Sequence, residues 1–127
     1  TVVITGDFNA EPSSPLVRET LGAKNASAVV ESHSLYELMK ESTIGTYRYK
    51  GEWSIIDHLI VNGSLLQGED NALSISSDGV GILAFPFLLE DDGQYGGEKP
   101  FRTYHGMKYQ GGFSDHLPVL LKLLIKE

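Results

Sequence analysis

The sequence predicts an α/β protein built on a mixed, mostly antiparallel sheet with two helices. Short β-branched and apolar runs outnumber the stretches with helical spacing, and 14 glycines supply turns between them. The chain has 127 residues, 41% hydrophobic and 21% charged, the size and mix of one folded domain rather than a disordered segment. At this length a chain buries roughly two-thirds of the surface it exposes when unfolded. Residues 1–127 therefore read as a single domain.

Thr1 to Thr5 is a β-branched strand that runs into Gly6-Asp7-Phe8-Asn9. Domains seldom begin inside a buried strand, so the chain is expected to be a piece of a longer protein. Ser14 and Pro15 mark a helix start, Leu16 and Leu21 its apolar contacts, and Gly22 its end. A second helix is expected over 34–41, where Leu35, Leu38 and Met39 keep a three-to-four spacing. Gly45 to Tyr49 and Ser54 to Val61 read as hairpin partners, followed by a turn at Asn62-Gly63. Leu73 to Ile75 and Ile82 to Leu89 are weaker strands, with Pro86 demanding an edge or a bulge. Residues 90–98 read as an acidic, glycine-rich loop, and Leu117 to Ile125 as a final, largely buried strand.

Ten basic against seventeen acidic residues give a net charge of −7. That argues against a sequence-blind polyanion binder, which needs clustered Lys and Arg. A phosphate substrate stays open, because a bound divalent ion reverses the local field. Without cysteine there is no disulfide framework, thiolate metal site or cysteine nucleophile. No apolar run reaches the ~20 residues of a membrane helix.

Three segments share one pattern, an apolar strand that carries acids or amides where it meets a loop: Gly6-Asp7-Phe8-Asn9, Ile56-Asp57-His58 and Ser114-Asp115-His116. Strand ends feeding loops are where α/β sheets place their sites. Asp57 and His58 point to opposite faces of a strand, so only one can join a given site. Asp7, Asp57 and Asp115 brought together would repel one another, and either a hard divalent cation or an imidazolium would relieve that repulsion. Carboxylates, an amide and a histidine without thiols suit metal-assisted attack of water on a phosphate ester. Each residue also has a plain structural reading: turn or cap for Asp7 and Asn9, a satisfied sheet histidine for His58, a turn before the last strand for Asp115 and His116. His33 and His105 are expected in solvent.

These three motifs, in this order, resemble the endonuclease/exonuclease/phosphatase superfamily, which includes deoxyribonuclease I, apurinic endonucleases, sphingomyelinases and inositol-polyphosphate phosphatases. The resemblance implies catalytic roles for Asp7, Asn9, Asp57 and His116. Asp7 would orient or deprotonate the attacking water and Asn9 would bind the scissile phosphate. Asp57 would pair with His116, which contacts or protonates the phosphate. Asp115, with Asp7, would be linked to Mg²⁺ or Mn²⁺. The family fold is a four-layer sandwich whose first half supplies a further Asn, a metal-binding Glu and a His or Tyr. The chain thus resembles the carboxyl-terminal half of such a domain, its amino-terminal half being a missing partner. The reaction implied is metal-dependent hydrolysis of a phosphodiester or phosphomonoester in nucleic acid, a phospholipid head group or a sugar phosphate. The alternative is a non-catalytic phosphate-binding or interaction module on the same scaffold.

Two further expectations complete the reading. Residues 99–109 interleave Lys99, Arg102 and Lys108 with Phe101, Tyr104 and Tyr109, so Arg102 and Tyr104 are candidate substrate-binding residues. A solvated surface hairpin is the plain alternative. Val2, Ile4, Ile56, Leu59, Val61 and the apolar residues of Leu117 to Ile125 exceed what two short helices can cover. That surplus predicts association with the other half or a homodimer.

Overall fold

The computed structural model describes residues 1–26, 29–68 and 72–125. Its strands are β1 (Val3–Asp7), β2 (Lys24–Asn25), β3 (Leu35–Glu37), β4 (Tyr47–Tyr49), β5 (Glu52–Ser54), β6 (Asp57–Asn62), β7 (Leu73–Ile82), β8 (Leu89–Asp91), β9 (Glu98–Pro100), β10 (Tyr104–His105), β11 (Lys108–Tyr109) and β12 (Val119–Ile125). One sheet has the order β1-β6-β3-β2, antiparallel except between β2 and β3. The other strands form antiparallel pairs: β4 with β5, β7 with β12, β8 with β9 and β10 with β11. Among the described residues, helical structure is confined to a π-helical turn (Leu16–Thr20), α1 (Gly63–Gln67) and a 3₁₀ turn (Pro86–Leu88). This is the mixed, mostly antiparallel α/β architecture expected of the sequence.

Strand β6 organises the core because both of its faces are covered. Its side chains alternate across the sheet. Leu59 and Val61 pack with Leu38, Met39, Ile55 and Leu65, and the β7–β12 ribbon lies over this group. Ile60, on the opposite face, packs with Val17 and Ala23 and against Ile4, Phe8 and Leu21. Asp57 shares the first face and His58 the second. That alternation decides what each can reach.

Several segments fold differently from their local pattern. Residues 34–41 hold no helix: Leu35–Glu37 is a strand between β6 and β2. The helical spacing of Leu35, Leu38 and Met39 is real, but two ladders and the burial of Tyr36 outweigh it. Residues 54–61 do not form one strand. The β4–β5 hairpin turns at Lys50 and Gly51, with φ of 49° and 88°, the backbone of a two-residue primed turn. The chain then leaves that ladder at Ile55 and joins β1 at Asp57. Asn62-Gly63 is the start of α1 rather than a turn.

The weak strand at 73–75 extends into ten continuous residues because β12 gives it a partner, with an irregularity between Leu121 and Leu123. Residues 90–98 close a β-hairpin, since Asp92 Oδ1 accepts the N–H groups of Gln94 and Tyr95 at its turn. The last strand is half-exposed rather than largely buried: Leu120, Lys122 and Leu124 face outward. The surplus apolar surface shifts accordingly. The ribbon covers Leu59 and Val61, leaving its own outer face bare.

Candidate active site

Strands β1 and β6 pair in a register that sets Asp7 directly opposite Asp57. Like charges at opposed positions repel, so the ladder should fray here unless a cation answers them. His116 does so. Its Nδ1 lies 2.7 Å from Asp57 Oδ2, and its Nε2 lies 4.0 Å from Asp7 Oδ2. A carboxylate only accepts, which places the proton on Nδ1 and turns Nε2 toward Asp7. The gap to Asp7 is too long for a direct hydrogen bond. Both carboxylates therefore face the His116 ring, at a strand end that is open to solvent.

His116 arrives there because Thr46 and Tyr47 bind the middle and last motifs into one unit. The buried Thr46 hydroxyl accepts the N–H groups of Ile56 (3.1 Å) and Asp57 (3.3 Å). Its carbonyl accepts the N–H of Leu117 at 2.7 Å. Tyr47 bridges to His116 through the backbone, and the two rings lie 4.9 Å apart. Gly45 makes this approach possible, since a Cβ there would stand 2.2 Å from the Ser54 carbonyl oxygen. The Ser114 hydroxyl accepts the His116 N–H at 3.0 Å.

Asn9 is set by Asp7. Asp7 Oδ1 accepts the Asn9 N–H at 2.8 Å, and Asn9 adopts a φ of 50°, a left-handed conformation that asparagine tolerates. Asp7, Asn9, Asp57 and His116 thus meet at one end of the β1–β6 ladder. Asp115 is exposed beside His116 in the chain, with no hydrogen bond to the other four among the described residues. Arg102 comes near: its guanidinium lies 5.8 Å from the Tyr47 ring, on which His116 also rests. Tyr104 sits out on the β10–β11 hairpin, exposed and edge-on to Tyr109. His33 and His105 are exposed.

His58 points away from this opening, into the protein. It is fully buried, with Nδ1 2.6 Å from Glu37 Oε2 and Nε2 2.7 Å from the Ala10 carbonyl. Burial pulls its pKa down, but the hydrogen bonds it donates to the Glu37 carboxylate and the Ala10 carbonyl, with the charges of Glu37 and Asp57, together hold it above the usual histidine range.

Thr46, Tyr47 and Glu37 carry no motif, and their types alone do not single them out. The nearest signal was the Gly45-Thr-Tyr47 strand start, which marks a β position but not its partners.

Three motifs thus converge where strand ends meet. Residues 1–125 match the Endonuclease/Exonuclease/phosphatase family. The chain belongs to this family. Its members are generally hydrolases of phosphate esters that use divalent metals. No curated protein and no solved structure shows a significant match to the chain.

The donor types at the site, hard carboxylate oxygens and an amide without thiols, fit Mg²⁺ or Mn²⁺. Their number falls short: among the described residues, no three His, Cys, Asp or Glu side chains are gathered where they could hold an ion.

Proposed function

We propose that this chain is half of a metal-dependent phosphoesterase site, hydrolysing a phosphodiester or phosphomonoester with activated water. The observation that carries the reading is the Asp57–His116 bond, with His116 Nε2 turned toward Asp7 across 4.0 Å. Asp7 Oδ2 takes a proton from the attacking water. The Asn9 side-chain amide donates to a phosphoryl oxygen, and His116 Nε2–H donates to the phosphate or its leaving oxygen. Asp57 fixes the His116 tautomer and steadies the imidazolium form. Arg102, at the rim beside Tyr47, meets the charge of the substrate.

Asp7 and Asp115 would offer oxygens to Mg²⁺ or Mn²⁺, with the remaining ligands coming from an amino-terminal half of the domain. The ion would supply Lewis-acid polarisation of the phosphoryl group. The substrate classes are a nucleic-acid phosphodiester, a phospholipid head group or a sugar phosphate. The partner is the other half of the domain or, for the isolated chain, a second copy.

Titration of inorganic phosphate into the ¹⁵N-labelled chain with Mg²⁺ tests the site. Saturable shifts at the Asn9 side-chain amide and the His116 ring, lost in His116→Ala, are expected. Shifts confined to other residues, or none at all, would overturn the assignment. Phosphate binding without turnover in a chain extended by its amino-terminal half would favour the non-catalytic module.

A further inference from the structure

We infer that His58, carried by Glu37, is a positioning residue that holds the Asp7–Ala10 turn in its active conformation. The inference rests on the reading of Asp7 and Asn9 as site residues. His58 never touches the opening, because alternation along β6 sends it to the face opposite Asp57. What it does touch is the far end of the turn that presents Asn9.

That turn is pinned in sequence order. The Phe8 N–H donates to the Ile56 carbonyl at 2.8 Å. The Asn9 N–H donates to Asp7 Oδ1, which gives Asn9 its left-handed backbone. The Ala10 carbonyl, turned inward, accepts from His58 Nε2 at 2.7 Å, and the Phe8 ring stacks on the imidazole at 4.8 Å and 25°. A carbonyl accepts only, so Nε2 carries a proton. With Nε2 satisfied, Nδ1 meets Glu37 Oε2 at 2.6 Å, and Glu37 Oε1 is itself fixed by the Met39 N–H at 2.8 Å. Both side chains are fully shielded from water. A rigid relay therefore runs from β3 through Glu37 and His58 to Ala10, one residue past Asn9. It parallels the Asp57–His116 pair on the other face: in each, a carboxylate orients an imidazole by its Nδ1 and leaves Nε2 for the task.

A buried ionic pair is weak evidence for stability, and replacement by apolar residues would fill the same space. What an apolar pair cannot do is hold a carbonyl. Without that hold, Asn9 keeps, among the described residues, only the exposed bond to Asp7.

Two variants separate positioning from packing. His58→Gln places an amide N–H where Nε2 stood and keeps the bond to Ala10. His58→Asn mimics Nδ1, keeps Glu37 and frees Ala10. Backbone ¹⁵N order parameters of Asn9 and Ala10 in the intact chain are the readout. They should fall from about 0.85 to below about 0.6 in His58→Asn. His58→Gln should retain them, and the Leu59 to Val61 amides should stay rigid in both. Equal loosening in both variants, or unchanged Asn9 and Ala10 in His58→Asn, would overturn the inference. Should either variant fail to fold, the unaltered chain decides: a scalar coupling from His58 Nε2–H to the Ala10 carbonyl carbon is expected, and an exchange-averaged, uncoupled Hε2 would overturn it. No phosphate enters these measurements, so their failure is distinct from failure of the phosphate titration.

Discussion

At the scale of single residues, β6 places two histidine–carboxylate pairs back to back, and they differ in exposure. His116 and Asp57 are partly open, whereas His58 and Glu37 are sealed. The sealed pair makes the fold sensitive to alkali. His58 is held above its ordinary value, so between about 6.5 and its folded pKa the native state binds more protons than the unfolded chain. Its contribution is full below that window and is lost as pH rises through it. The urea midpoint should fall as pH rises above about 6.5, and Glu37→Gln should flatten that fall; a flat profile in the unaltered chain would contradict the assignment. The motif residues Asp7, Asn9, Asp57 and His116 were legible in the sequence because each sits at a strand end in a known order. Glu37 and Thr46 were not, because their roles depend on partners brought in by register.

At the scale of elements, local pattern was a good guide where a strand's own ends define it and a poor one where a distant ladder does. Strands β1 and β12 lie close to where their residue types put them. Residues 35–37 do not, since pairing on both sides overrides helical spacing. The β8–β9 hairpin was hidden for another reason: Arg48 reaches across from β4. Its guanidinium donates to Asp92 Oδ2 at 3.1 Å and to the carbonyls of Gly51, Gly96 and Glu98. Arg48 and Asp92 are 8% and 6% exposed. Burial would raise the Asp92 pKa, yet the Tyr95 and Gln94 N–H groups and the charges of Lys99 and Arg48 hold it below the usual range. Arg48 also holds these three carbonyls, so Arg48→Met should lower the urea midpoint of unfolding; an unchanged midpoint would show the pair to behave as an exposed one.

At the scale of the whole molecule, the four-stranded sheet ends at β1, which among the described residues pairs with β6 alone. The outer face of β12 exposes Leu120 and Leu124 on either side of Lys122, and Ile125 is exposed at the strand's end. The two exposed leucines on this face predict a two-fold dimer through β12. Sedimentation at micromolar concentration should report a dimer and Leu124→Lys a monomer; a monomeric unaltered chain would show that no second copy is needed. The central claim is that Asp7, Asn9, Asp57 and His116 form a hydrolytic site. Its most direct test is turnover of a chromogenic phosphodiester, with Mg²⁺, by the chain joined to the amino-terminal half proposed above. His116→Ala should lower that turnover by at least about a hundredfold, the usual cost of a lost acid–base or charge-stabilising group. Turnover unchanged by His116→Ala would contradict the account.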